Sequence, residues 1–146
     1  MIRFLVQAFL LTVVFISAWR VGGKPEKYVA TIYFSMLVIG SLETFVYQPT
    51  TQAHYEDLHE FRFMLDLAAL AGILFAALRF DRWWTLWVGS VQFIAVMAHL
   101  LRLWDMPIPP LAYAVMERWP VWIAIALTGL GTYLHSQRRN ATHTVT

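Results

Sequence analysis

The fold is decided by the run of residues 83–104, which reads WWTLWVGSVQFIAVMAHLLRLW. It contains one charged residue, Arg102, in a length that suits a bilayer-crossing helix of roughly 20 mostly apolar residues. Four other runs have a similar character, at residues 2–19, 28–47, 62–78 and 111–135. The sequence therefore predicts an all-α polytopic membrane protein, a bundle of about five transmembrane helices.

The composition of the whole chain agrees with this prediction. Of its 146 residues, 59% are hydrophobic and 14% are charged, whereas ordinary soluble domains have about 45–50% and about 25%. A small fold leaves much of its surface exposed, so a soluble domain of this size could not hide so much apolar area. The chain has no cysteine, which excludes disulfides, thiolate catalysis and cysteine-bound metal centres.

Short segments rich in Gly, Pro or charge separate the runs, at residues 22–25, 49–51, 79–82 and 107–110. Such residues end helices, and connections this short make neighbouring helices antiparallel. We expect one transmembrane bundle over residues 1–135 and a short basic cytoplasmic tail at 136–146. The first run resembles a signal peptide, but it fills most of a membrane thickness, so we expect a retained helix.

The fifth run leaves two interpretations open. It contains Glu117, Arg118 and then Pro120. Residues 111–116 either belong to the fifth span or form a short interfacial helix. In the second case the crossing lies at residues 119–136, with Pro120 in its first turn, where proline is tolerated.

The charges divide between the two ends of the predicted bundle. The cation-rich end has two acids, Glu26 and Asp81, and seven cations, Arg20, Lys24, Lys27, Arg79, Arg82, Arg138 and Arg139. The acid-rich end has the cations Arg3, Arg62, Arg102 and Arg118 and the acids Glu56, Asp57, Glu60, Asp66, Asp105 and Glu117. Lys and Arg accumulate in short cytoplasmic loops. We therefore expect the N-terminus outside and the C-terminus in the cytoplasm.

Ionisable side chains inside the predicted spans form the candidate functional site. Such groups are costly in a bilayer unless they face the bundle interior or water. On the fourth span, Gln92, His99 and Arg102 share one stripe, and on the third span His59, Arg62 and Asp66 do the same. We predict an outer polar cluster in the outer half of the membrane, consisting of Glu43, Asp66, His99 and Arg102, with Arg62 and Glu117 nearby.

Two interpretations of the outer polar cluster remain open. Acids and cations at one depth pair with each other and hold helices in register. Alternatively, the cluster binds a small molecule or a proton, with Glu43 and His99 changing protonation and Arg102 holding an anion. On the first interpretation Glu43→Gln and His99→Ala proteins fail to accumulate. On the second they insert normally but lose ligand binding or their response to pH.

We expect no metal site and no cofactor. The segment around His54, Glu56, His59 and Glu60 has donors that suit divalent cations, but its spacing matches neither a zincin helix nor an EF-hand loop. His99 has no partner histidine at matching depth on another helix, so we do not expect it to be an axial haem ligand. No phosphate loop, serine elbow or dinucleotide fingerprint is present. The basic pI follows from membrane topology, so nucleic-acid binding is not expected.

Three stretches of the chain suggest a family resemblance. They are residues 19–27 (WRVGGKPEK), 82–87 (RWWTLW) and 98–102 (AHLLR). In these the chain resembles a group of small bacterial multi-pass inner-membrane proteins with no known activity. The resemblance implies a bacterial inner-membrane location and brings no site residues. The tryptophan content is also similar to that of the translocator-protein family, but that family's helix-end Trp, Pro and Asn patterns are not matched here.

We expect a non-enzymatic accessory or assembly subunit of a larger membrane complex. Short loops, aromatic faces and small-residue stripes suit helix contacts, so the expected partners are the lipid bilayer and other membrane proteins or a second copy. The alternative is a protein that binds or transports a small molecule or ion through the outer polar cluster. An intramembrane enzyme has the least support, because no nucleophile is paired with a base.

Overall fold

The computed structural model describes residues 2–46, 52–104 and 109–143. Within these ranges the regular structure is helical, and five helices follow one another. They are α1 (Ile2–Val21), α2 (Lys24–Val46), α3 (Gln52–Phe80), α4 (Trp83–Leu103) and α5 (Pro110–His143). The predicted all-α fold is confirmed.

Two helices extend beyond the apolar runs that predicted them. α3 begins at Gln52 rather than near residue 62. The residues at 52–61 are mostly polar, and many polar residues have a good intrinsic propensity for helix. α5 continues to His143, so most of the predicted tail at 136–146 is helical. α5 is also unbroken through Pro120, and residues 111–116 belong to that same helix.

Three described segments are long and apolar enough to cross a membrane. They are Ile2–Val21, Glu60–Phe80 and Trp83–Arg102. The protein is therefore a helical bundle with three candidate spans. α2 and α5 have 23 and 34 residues, and the charged residues of α2 lie near its two ends, among them Glu26 and Glu43.

The helices pack in a closed ring. Each helix contacts the next along the chain, and α5 packs back against α1. Apolar side chains from all five helices meet in one core, made of Leu11, Val29, Tyr33, Ile73, Ala76, Trp84, Val88, Ala124 and Ile125. Much of the outer surface is apolar as well, which suits contact with lipid rather than water.

Two tight connections lie at the cation-rich end. A Cβ atom at Gly22 would approach the carbonyl oxygen of Ala18 to 2.6 Å, so only glycine fits where α1 turns into α2. Between α3 and α4, Asp81 adopts a left-handed conformation with φ of 49°, which is unfavourable for most residues with a side chain. The glycine connection also approaches His135 of α5, so the later part of α5 lies at this same end.

Candidate functional site

A hydrogen-bonded chain of four side chains joins α2, α3 and α4. Tyr33 Oη donates to Gln92 Oε1 at 3.1 Å. Gln92 Nε2 donates to Asp66 Oδ1 at 2.8 Å and to the carbonyl oxygen of Asp66 at 3.2 Å. Nε2 of His99 lies 3.0 Å from Asp66 Oδ2. These four residues are called the interior network below.

The helix geometry explains why these residues meet. Gln92 and His99 are seven residues apart on α4, about two helical turns, and so face the same side. Asp66 on the neighbouring α3 lies between them and contacts one with each carboxylate oxygen. At about 1.5 Å per residue, the network runs from the acid-rich end of α4 towards the middle of the helix.

The interior network is largely shielded from the surroundings. Gln92, Tyr33 and His99 are buried, and the side chain of Asp66 is 18% exposed. Polar groups without partners are costly in such a place, and more so in a bilayer, which offers no water. The donors and acceptors described above satisfy one another, and their hydrogen bonds link three helices.

The pair of Asp66 and His99 also has acid–base chemistry. Histidine is the side chain that most readily changes charge near neutral pH, and the imidazole here is within hydrogen-bond distance of a carboxylate. The ring of Phe63 is also near, with its centroid 6.1 Å from that of the His99 ring. The pair places an acidic and a basic side chain in contact inside the bundle.

Glu43 and Arg62 form a second polar contact at the acid-rich end. Arg62 Nε donates to Glu43 Oε2 at 3.5 Å. The side chain of Glu43 is 6% exposed and that of Arg62 is 43% exposed. The other carboxylate oxygen of Glu43, Oε1, is buried and has no hydrogen-bond partner in the described part of the chain. Glu43 can therefore accept a further donor.

The structure thus divides the predicted outer polar cluster into two pairs, Asp66 with His99 and Glu43 with Arg62. Arg102 is exposed near the end of α4, and its role of holding an anion stays a prediction. The side chain of Glu117 lies outside the described residues.

The predicted metal donors are only partly described. Glu60 is exposed on α3, while the side chains of His54, Glu56 and His59 lie outside the described residues. Among the side chains that are described, no three His, Cys, Asp or Glu residues lie close enough together to hold a metal ion.

Two residues of interest escaped the sequence interpretation. Tyr33 completes the interior network, although nothing in its local sequence distinguishes it from an aromatic anchor. Glu26, which was counted among the charges of the cation-rich end, is 2% exposed. Its Oε2 atom is buried with no partner in the described part of the chain.

Glu26 lies beside a small, partly open cavity at the cation-rich end. The cavity has a volume of about 30 Å³, and its other polar lining comes from Arg82, His135 and Arg138, which leaves room for a bridging water molecule. A Cβ atom at Gly23 would lie 3.0 Å from Glu26 Oε2 and 2.9 Å from the His135 ring. The pair of glycines before Glu26 is the sequence signal for this site.

Comparisons with known proteins give this site no precedent: the chain matches no family model, no curated protein and no solved structure.

Proposed function

We propose that the chain is a bacterial inner-membrane protein with five spans, its N-terminus outside and its C-terminus in the cytoplasm. The closed ring of helices supports this, because α2 and α5 pack among the three apolar helices. The seven cations at one end support the orientation.

The topology is testable with introduced cysteines, since the chain has none of its own. We expect Glu60→Cys to react with a membrane-impermeant maleimide in intact cells. Lys24→Cys should react only after the membrane is permeabilised. Labelling of Lys24→Cys alone in intact cells would show the opposite orientation. Labelling of both variants in intact cells would contradict the proposal that the two positions lie on opposite sides of the membrane.

Within this protein the outer polar cluster binds an ion or a small molecule, and the Asp66–His99 pair is its proton-binding part. The observation that supports this function is the 3.0 Å contact between the imidazole and the carboxylate in the interior of the bundle. Ionisable residues in the interior of a transmembrane bundle are rare, and they mark ion pathways and proton relays. The side chain of Asp66 is partly exposed, and the buried Oε1 atom of Glu43 can still accept a hydrogen bond from a ligand.

Infrared difference spectroscopy tests the proton-binding part. The full chain in lipid is compared between about pH 5 and 8, the range in which histidine changes charge. We expect carboxyl and imidazole bands that disappear in Asp66→Asn and His99→Gln, respectively. Glu60→Gln is the matched control, because Glu60 is an exposed acid on the same helix as Asp66.

The comparison separates the proposed function from a purely structural role. If the pair only holds the helices together, the wild-type difference spectrum equals those of Asp66→Asn and His99→Gln. Because the chain has five histidines, only the imidazole bands that His99→Gln removes are assigned to the pair.

The second candidate function is that of an accessory or assembly subunit in a larger membrane complex. The observation in its favour is the exposure of α1. Among the three apolar segments, α1 has the smallest fraction of residues that are buried inside the bundle. Only 11% of its apolar stretch is buried, against 50% for α4. Its outward residues include large apolar side chains such as Phe4, Phe9 and Ile16, a surface broad enough for a partner helix.

Crosslinking tests this second function. A photoreactive residue at Phe9 should yield one protein adduct of defined mass, and the same partner should co-purify in mild detergent. The control is the same residue at Phe75 on α3, which is also an exposed phenylalanine. A monomer without co-purifying protein, or equal adducts at both positions, would contradict an assembly role.

A further inference from the structure

A groove opens on the outside of the bundle between α2 and α3. Its volume is about 670 Å³, and its walls are mostly apolar. Lys24 and Lys27 lie at the cation-rich end of the groove, together with Trp19. Further along, the wall is formed by residues such as Met36 on α2 and Leu65 on α3. The groove therefore has a cationic end and an apolar length.

The cationic end is not neutralised by the acid that is nearest to it in sequence. Glu26 lies between the two lysines in sequence, but its side chain is buried and lines the separate cavity near His135. Lys24 is exposed and Lys27 is half-buried. The Lys27 ammonium lies 5.8 Å from the centre of the Trp19 ring, a distance at which the ring attracts the cation and helps to hold it in place.

The length of the groove matches one leaflet of a bilayer. Lys24 and Met36 are separated by twelve residues of α2, which is about 18 Å along the helix at about 1.5 Å per residue. Half of the hydrocarbon core is about 15 Å thick. With the lysines at the level of the lipid headgroups, the apolar part of the groove ends near the middle of the membrane.

We propose that this groove is a binding site for one anionic glycerophospholipid. The phosphate lies between Lys24 and Lys27, and an acyl chain follows the wall past Ile32 to Met36. The groove is cationic at one end and apolar along the rest of its length. This favours a lipid over a protein helix, since a lipid has a charged headgroup and an apolar acyl chain. Basic pockets at the cytoplasmic side of membrane helices bind anionic headgroups in this way.

Native mass spectrometry of the full chain tests the proposal. The protein is reconstituted with equal amounts of phosphatidylglycerol and phosphatidylcholine and then extracted into mild detergent. The mass of the intact protein with its bound lipid is then measured. We expect one phosphatidylglycerol molecule to be retained in preference to phosphatidylcholine. Each lysine near an anionic headgroup contributes about fivefold, so the double variant Lys24→Gln with Lys27→Gln should lower the preference by up to about 25-fold.

Two further variants identify the site. Arg79→Gln with Arg139→Gln removes two exposed cations from the same end without touching the groove, and should leave the preference unchanged. Ser35→Trp fills the groove from its exposed wall while keeping both lysines, and should abolish retention of either lipid.

Four results would overturn the proposal. The first is equal retention of the two lipids by the wild type. The second is an equal loss of preference in the lysine and the arginine double variants. The third is full retention in Ser35→Trp. The fourth is a dimer that Ser35→Trp dissociates, which would make the groove a contact between copies of this chain.

Discussion

The hydrogen bond between Tyr33 and Gln92 offers a sharp test of the interior network. Gln92→Leu removes the glutamine's bond from Tyr33 and both of its bonds to Asp66. Tyr33→Phe removes only the bond between the two side chains. Because the two variants share that one bond, their effects on the free energy of unfolding should not add.

The expected magnitudes follow from the number of bonds. A polar bond between membrane helices contributes about 0.6 kcal/mol on average, with a maximum of about 1.7 kcal/mol. Loss of three bonds in Gln92→Leu should therefore cost about 2 kcal/mol, and Tyr33→Phe about 0.6 kcal/mol. The double variant should also cost about 2 kcal/mol, since the tyrosine hydroxyl has already lost its acceptor.

Unfolding in mixed micelles, followed by circular dichroism, measures these differences. The chain supplies a matched control in Gln137 and Tyr133, an exposed pair whose side chains share a hydrogen bond of 2.8 Å on α5. Surface substitutions usually change stability by less than about 0.5 kcal/mol, so Gln137→Leu should be close to neutral.

Two results would refute this reasoning. One is a Gln92→Leu protein as stable as the wild type, which would mean that the network contributes nothing to the folded state. The other is strict additivity of Tyr33→Phe and Gln92→Leu, which would mean that the two side chains do not interact.

Two backbone predictions follow from the same structure, both measured by unfolding in mixed micelles. Asp81→Val should destabilise the protein by about 1–2 kcal/mol, because a branched side chain disfavours the left-handed conformation, while Asp81→Gly should be neutral or stabilising. Equal effects of the two would argue against that conformation. Gly131→Ala should cost about 1–3 kcal/mol, since its Cβ would lie 2.9 Å from the buried ring of Trp84. Gly40→Ala is the control: its Cβ meets nothing within 4 Å and should stabilise by up to about 1 kcal/mol.

The apolar runs were sufficient to predict five helices and their order, because a bilayer-length apolar segment has few alternatives to helix. They did not predict how far α3 and α5 extend. The residues at 52–61 and 136–143 are mostly polar, and a search for apolar runs does not detect helix that is formed by polar residues. The orientation of the bundle depends on charge placement alone and stays a prediction.

The position of the candidate site along the helices was predictable, but the partners of its side chains were not. Counting residues along each helix placed Glu43, Asp66 and His99 at one end of the bundle, and the structure pairs Asp66 with His99. The partners of a side chain also depend on the rotation of each helix about its axis, which no local pattern reveals. For this reason Tyr33 and the burial of Glu26 became visible only in three dimensions.

The interior network also has a consequence for biosynthesis. Asp66 precedes Gln92 by 26 residues and His99 by 33 residues. At a translation rate of about 5–20 residues per second, the carboxylate leaves the ribosome about 2–7 seconds before its imidazole partner. A buried carboxylate without partners is costly during that interval. The two-residue connection between α3 and α4 lets the two helices pair early as a hairpin, in which Asp66 already has both of its α4 partners, Gln92 and His99.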